Sequence, residues 1–500
     1  MAAATAAAVS CCHGCWLLLL LTTAACALGA GGSSLELLDV ESLLLHADAA
    51  AASCHTQERK PGTTRMPVVH QHGPCSPLAD KRGKAPSHRE ILAADQRRVE
   101  YIHRRVSQTT GRARRKRGAA PVELRPGAPS SSTSPSSLSS SSKSANLPAS
   151  SGAAVDTGNY VVPIGLGTPA ERFTVIFDTG SDTAWVQCEP CVVYCYQQKE
   201  PIFDPAKSST YANISCSSSY CSDLETSGCT GGHCVYGVEY GDGSITVGFF
   251  AQDTLTLAYD TVPGFRFGCG ERNRGLFGEA AGLLGLGRGS TSLPVQAYGK
   301  YGGVFAYCLP ATSSGTGFLD FGRGAPAANA RLTPMLTDNG PTFYFVGMTG
   351  IKVEGRLLAI PGSVFSTAGA IVDSGTVITR LPPSAYEPLR SAFAKGMAAR
   401  GYKKAPAYSI LDTCYDLTGH HQRQGKIALP PVSLVFQGGA SLDVDASGIL
   451  YVVDVSQACL AFAANDDDTD VAIIGNTQQK TYSVLYDLGK KVVGFAPGAC

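Results

Sequence analysis

The sequence predicts a mainly β chain folded as two similar lobes. Three observations predict it. An apolar run ends abruptly in a carboxylate, a hydroxyl and a glycine at Val175-Ile176-Phe177-Asp178-Thr179-Gly180-Ser181, and the pattern returns 195 residues later at Ala370-Ile371-Val372-Asp373-Ser374-Gly375-Thr376. Each copy is followed, 107 and 102 residues on, by the glycine of a second apolar segment, Leu283-Leu284-Gly285 and Ile473-Ile474-Gly475. From Tyr160 to the C-terminus, short β-branched and aromatic runs alternate with Gly, Pro, Asn and Asp turns, the signature of strands. Helical patterns are scarce there, with Ala385 to Ala399 the best candidate. Two such turns, far apart in sequence, suggest two lobes that bring two carboxylates together.

Taken in order, the 500 residues divide by composition. Residues 1–29 read as a signal peptide: Trp16-Leu17-Leu18-Leu19-Leu20-Leu21 leads into small residues near Ala27 to Ala30 and is short for a transmembrane span. No Lys or Arg precedes it, so a plastid transit peptide is the alternative. Residues 30–150 read as a removable propeptide and linker, without a compact core. Ile91 to Val106 has helical apolar spacing and a basic face, Arg112 to Arg117 is a polybasic run suited to processing, and Ser130 to Ser151 is a Ser-rich flexible linker. The body follows as two lobes, 151–330 and 331–500. Net charge is only +1, yet residues 51–127 carry 17 Lys/Arg against 6 Asp/Glu while residues 151–500 carry 23 against 30. A basic front before an acidic body points to nucleic-acid binding or to an intramolecular partner held by charge.

Of 18 cysteines, 12 lie between Cys188 and Cys500. With a hydrophobic N-terminus this reads as disulfides made in an oxidising compartment. Cys188-x-x-Cys191 has zinc-like spacing, but no second such pair completes a site, and His233 reads as a loop histidine, so no metal is expected. Asn213-Ile214-Ser215 is the one glycosylation sequon in the body. No apolar tail follows Cys500, so no membrane anchor is expected.

A lone Asp-Thr/Ser-Gly is weak evidence. A third match, Asp156-Thr157-Gly158, has no apolar strand before it and reads as a loop. Asp178 and Asp373 differ in their preceding strands and in the distant apolar-apolar-Gly segments. With these features, Trp185, and the last runs Tyr482 to Asp487 and Val493 to Ala496, the chain from Asn159 to Cys500 resembles the pepsin-type aspartic proteases. The resemblance implies a bilobal pepsin-like fold, two pseudo-symmetric β-barrel-like lobes with the active site in the cleft between. It implies an aspartic endopeptidase working at acid pH without metal or cofactor, as a monomer on protein or peptide substrates. Asp178 and Asp373 would be the dyad, sharing a proton, one activating a water and the other protonating the scissile carbonyl. Thr179, Gly180, Ser181, Ser374, Gly375 and Thr376 would surround them, with the Ser181 and Thr376 hydroxyls bonding the carboxylates. Tyr240-Gly241-Asp242-Gly243-Ser244 reads as a hairpin tip, and the family places there a flap that closes over substrate, with Tyr240 facing Trp185.

The seven cysteines from Cys188 to Cys234, with the other five, resemble the plant nepenthesin-like branch. That resemblance implies Cys188–Cys191, Cys195–Cys269, Cys216–Cys234, Cys221–Cys229, Cys308–Cys500 and Cys414–Cys459. Location would be extracellular or vacuolar. Two other readings stay open. The linker and Asn159-Tyr160-Val161-Val162 also resemble the chloroplast nucleoid DNA-binding branch, and some plant relatives are catalytically silent inhibitors that lack a complete dyad. The basic segment would dock on the acidic body as an intramolecular inhibitor at neutral pH, and neutralising Arg112 to Arg117 should loosen it.

Overall fold

The computed structural model describes residues 36–39, 64–78, 87–118, 160–322, 329–337, 339–418 and 426–500. The apolar N-terminal run, the Ser-rich linker, Asp156 to Gly158, and His420 and His421 lie outside the described residues. Among those described, no helix is long and apolar enough to cross a membrane, and no cluster of His, Cys, Asp or Glu could hold a metal.

The architecture is mainly β and bilobal. In the first lobe, β-branched and aromatic alternation makes β2 (Tyr160–Leu166) and β3 (Glu171–Asp178), which pair antiparallel with Val161 opposite Ile176. Strands β4 (Trp185–Gln187), β5 (His233–Glu239), β6 (Ile245–Leu257) and β7 (Asp260–Arg274) complete this side, with β6 and β7 forming the long hairpin. Strand β8 (Gly282–Gly285) runs parallel to β3 and sets Gly285 beside Asp178. The second lobe repeats the device: β9 (Ala370–Val372) lies parallel to β10 (Ala472–Ile474). The glycines that close the two segments are needed for close approach. A Cβ on Gly285 would lie 2.2 Å from the Asp182 carbonyl oxygen, and one on Gly475 would lie 2.7 Å from that of Val377.

Between the lobes runs an antiparallel sheet whose neighbours are Gly317–Phe321, Val304–Cys308, Ser483–Asp487, Val492–Ala496 and Arg331–Leu336. Phe305 stacks on Tyr486 at 4.7 Å, and Phe177 reaches Tyr307 at 5.4 Å, so the core lies directly beneath the strand that ends at Asp178. The edge of this sheet is taken by β1 (Met66–His70), which pairs with Gly317–Leu319 and, through Val69 and His70, with β2.

Described parts of residues 30–150 pack into the cores of the body. Met66 and Val68 are buried in the main core. Helix α1 (His88–Gly118) extends the expected helix at both ends; its side chains are described through Thr109. Its start is a reciprocal cap, with Ser87 N donating to Glu90 Oε2 at 2.8 Å and Glu90 N to Ser87 Oγ at 3.3 Å, which satisfies amides the helix leaves unpaired. Ile91 and Leu92 bury against Val377, Ile378 and Leu411, while Val99, Ile102 and Val106 bury against Phe343, Ile371 and Ile473. One apolar stripe on α1 thus covers apolar surface of the body, which the high charge of the segment had obscured.

The disulfides correct the expected pairing. The structure bonds Cys188 to Cys269, Cys191 to Cys195, Cys216 to Cys229 and Cys221 to Cys234, in place of Cys188–Cys191, Cys195–Cys269, Cys216–Cys234 and Cys221–Cys229. The reason is strand register. β4 runs parallel to β7, and Cys188 N donates to Gly270 O, so Cys188 falls beside Cys269 with Cα atoms 5.3 Å apart. Cys229 and Cys234 face each other across a hairpin, and each turns instead to a cysteine of the preceding loop. The structure also bonds Cys308 to Cys500 and Cys414 to Cys459. Asn213 lies on an exposed two-residue strand against β6, its Oδ1 accepting from Tyr211 at 2.7 Å, and His233 is exposed at the start of β5.

Candidate active site

Asp178 and Asp373 sit where β3 and β9 stop, both buried. Each carboxylate accepts from the glycine amide two residues on, at 2.9 Å from Gly180 and 3.2 Å from Gly375. The two turns then hold each other: Thr179 N donates to Ser374 Oγ at 3.1 Å, and Ser374 N donates to Thr179 Oγ1 at 2.9 Å. This reciprocal pair ties the lobes together at the point where the two carboxyls converge. Thr376 Oγ1 donates to Asp373 Oδ2 at 2.6 Å. The matching hydroxyl of Ser181 departs from expectation. It is buried and makes no well-formed hydrogen bond, although it lies near enough to Asp178 to favour the ionised carboxylate. Donors from elsewhere have taken the Asp178 oxygens.

Those donors come from Arg98 of α1. Its Nη2 lies 2.7 Å from Asp178 Oδ1 and 2.9 Å from Asp373 Oδ2, its Nη1 lies 3.2 Å from Asp178 Oδ2, and its Nε lies 3.1 Å from Asp373 Oδ2. One planar fork thus bridges both carboxylates and occupies the space between them. Burial raises the Asp178 carboxyl, but the Arg98 charge and hydrogen bonds outweigh it and hold the group below the usual range. Burial and the neighbouring Asp178 charge keep Asp373 above its ordinary value despite Arg98. For Arg98, burial works against the charge and the two carboxylates more than restore it, so its pKa is raised.

The hairpin tip lies above. Tyr240 N donates to Ser244 O at 2.8 Å, Gly243 closes the turn with φ of 84°, and Ser244 Oγ accepts from Leu276 N. Trp185 Nε1 donates to Tyr240 Oη at 2.8 Å, and both pack on Phe277. Gly241 fits tightly over α1: a Cβ there would lie 2.3 Å from the Cβ of Tyr101. Helix α1 therefore passes between tip and carboxylates. What it leaves open is a cavity of about 540 Å³ lined by Asp182, Glu225, Tyr240, Thr342 and Phe343 among others. Arg105 of α1 reaches Glu225 on its wall.

Several supporting residues were not singled out from the sequence. Asn476 Nδ2 donates to Ser374 O at 3.0 Å, and Gln479 Nε2 to Asp373 O at 3.2 Å, so the residues just past Gly475 brace the second turn. Their signal was position, directly after the apolar-apolar-Gly segment. Asp182 is half-buried, accepting from Gly289 N at 2.8 Å and Thr342 Oγ1 at 2.7 Å; its partial burial raises its pKa and those bonds oppose it. Arg98 gave no sequence signal beyond lying in a basic helix.

The comparisons agree with this geometry. Residues 160–323 match the family described as Xylanase inhibitor N-terminal, and residues 343–497 match Xylanase inhibitor C-terminal. An aspartyl protease family protein of Arabidopsis thaliana is 44% identical, covering 93% of this chain and 92% of its own. Aspartic proteinase nepenthesin-2 of Nepenthes gracilis is 37% identical over 69% of this chain and 78% of its own. Among solved structures, Basic 7S globulin from soybean superposes with a TM-score of 0.54 at 22% identity, covering 69% of this chain and 94% of that one. A likeness at that identity speaks for the fold alone. With both turns in place and a relative this similar end to end, the chain belongs to the pepsin-like aspartic protease family.

Proposed function

We propose that the chain is the inactive precursor of an acid endopeptidase. In this reading residues 1–29 are a signal for the secretory pathway, 30–150 a propeptide and linker, and 151–330 and 331–500 the two catalytic lobes. The observation that carries it is the Asp178–Asp373 pair, two buried carboxyls in mirrored, mutually bonded turns, bridged by one cation. With Arg98 in place, the pair has no room for water or peptide. With Arg98 withdrawn, two carboxyls this close share a proton and titrate as a pair. The ionised one then takes a proton from a water held between them. The protonated one gives its proton to the scissile carbonyl oxygen, and a tetrahedral diol forms without a covalent enzyme intermediate. Tyr240, held by Trp185, closes over the peptide and excludes bulk water.

Helix α1 supports the precursor reading, since it fills the cleft with its own residues. Six disulfides among the described residues fit an oxidising, extracellular or vacuolar setting. Asn213 is exposed as glycosylation requires. A DNA-binding reading would draw on the basic segment, but Arg98 and Arg105 are committed to carboxylates of the body. The test is cleavage of a denatured protein after acidification, its sensitivity to pepstatin, and the N-terminus of the processed form. Asp178→Asn should abolish cleavage; activity that survives it refutes the dyad, and a full-length chain that never cleaves would leave a binding protein on the same fold.

A further inference from the structure

We infer that Arg380, with the backbone amides of Val377 and Ile378, forms a subsite for an acidic side chain of the substrate, which Asp95 of α1 occupies in the precursor. This rests on the endopeptidase reading and names a specificity within it. Asp95 is fully buried. Its Oδ1 accepts from Val377 N at 2.6 Å, and its Oδ2 accepts from Ile378 N at 3.3 Å and from Arg380 Nη2 at 2.9 Å. Val377 and Ile378 follow directly on Asp373-Ser374-Gly375-Thr376, so this carboxylate receptor is built into the chain that leaves the catalytic turn. Asp95 precedes Arg98 by one helical turn, on the same face of α1.

What makes the receptor informative is what Arg380 has besides Asp95. Its side chain is 1% exposed. Nη1 donates to Ile378 O of its own strand at 3.2 Å, Nη2 also reaches Gln96 Oε1 of α1 at 3.4 Å, and Nε has no partner. Both groups that reach Nη2 belong to α1 and leave with it. His103, near the same guanidinium, is also on α1, while Asp470, 3.8 Å from His103, is partly exposed and makes no hydrogen bond to Arg380. Withdrawal of the helix therefore leaves a guanidinium and two amides converging on an empty carboxylate position beside the dyad. A buried cation without a partner is costly, and a planar fork matches a carboxylate in charge and shape. Burial works against the Arg380 charge and Asp95 restores part of it. A substrate Asp or Glu would do the same. Three helical residues rise about 4.5 Å and one extended residue about 3.3 Å, so the acidic residue should fall within about three residues of the scissile bond.

The experiment is to acidify the full-length protein and assay the processed enzyme on quenched peptides. The peptides carry Glu or Gln in turn at each position flanking the cleaved bond. At pH 5.5, kcat/KM should favour Glu by about tenfold at one position, the scale of a charged hydrogen bond. The ratio should fall toward one near pH 3, where the substrate carboxyl, ordinarily near 4, protonates. Arg380→Gln should abolish the preference and Arg380→Lys should keep part of it. Cleavage with equal rates for Glu and Gln everywhere, or a preference that survives Arg380→Gln, overturns the subsite while leaving the endopeptidase intact. If nothing is cleaved, the endopeptidase reading fails separately. Fluorescence anisotropy of the labelled Glu and Gln peptides on full-length Asp95→Asn/Arg98→Gln protein then decides: about tenfold tighter binding of the Glu peptide upholds the receptor, and equal binding overturns it.

Discussion

A single guanidinium, that of Arg98, makes hydrogen bonds to both Asp178 and Asp373, and on the proposed reading this contact keeps the precursor latent. Breaking a buried pair by removing one partner costs about 3 kcal/mol or more, roughly a hundredfold in the docking equilibrium. Arg98→Gln should therefore let the precursor cleave a test substrate at pH values where the unaltered precursor is silent. Identical activation curves would refute the plug. Trp185→Phe tests the other side of the cleft. It removes the donor to Tyr240 Oη and leaves the ring packing, so kcat/KM should fall by about tenfold, the worth of one hydrogen bond, with little change in thermal stability. The contrast between Asp178 and Arg98 shows what single residues disclose. Asp178 was legible because an apolar strand, a turn and a second copy all pointed to it. Arg98 is one of 17 basic residues in its segment. Its role depends on a three-dimensional coincidence with two loops, which no local pattern encodes.

Helix α1 joins both halves of the site at the level of elements. The helical spacing of Ile91 to Val106 was visible in the sequence, and so was its basic face. What was not visible was that its apolar stripe packs on body residues far along the chain, such as Val377 and Ile473. The side chains of Arg112 to Arg117, whose neutralisation is expected to loosen inhibition, lie outside those described; among the described residues, Asp95, Arg98 and Arg105 make the buried and cleft-wall contacts. Ile102→Ala, cutting a buried side chain on that stripe, should weaken docking by about 2–4 kcal/mol and raise the pH at which the precursor opens. Strand order explains the cysteine errors in the same way. The family resemblance implied Cys188–Cys191, but pairing of β4 with β7 carries Cys188 to Cys269, and that register is a long-range fact. The Cys308–Cys500 bond spans 192 residues and pins the C-terminus to the interlobe sheet. Cys308→Ser should cost about 2–5 kcal/mol of stability, seen as a lower unfolding midpoint in denaturant; an unchanged midpoint would mean that the sheet alone holds that end.

Across the whole molecule, the proposed precursor should assemble front segment and body in a pH-dependent way, through the titratable groups that the contact buries. At the interlobe sheet, burial pulls the His70 pKa well below its ordinary value, with the charges of His72 and Lys480 acting in the same direction. Burial also lowers His103, against the pull of Asp470. A histidine held low when docked favours docking above its free value, about 6.5, and that contribution is lost as pH falls below 6.5 toward the docked value. Asp178, held low by Arg98, favours docking above about 4 and loses that contribution as pH falls through its depressed value. Asp373, held high by burial and by Asp178, has the opposite sign and offsets part of it. Once Arg98 leaves, however, the two carboxyls share a proton, so opening takes up protons at the dyad as well. Each proton taken up is worth about 1.4 kcal/mol per pH unit. Opening should thus begin below pH 6.5 through the histidines and steepen nearer pH 4 through the carboxyls. His70→Gln removes its share of the first component, leaving that of His103, and keeps a polar side chain against Tyr160, so the mid-activation pH should move downward, read by activation rate against pH with a fixed peptide substrate. A curve that does not move, or that moves upward, would show that His70 makes no contribution and leave the acid threshold to His103 and the dyad.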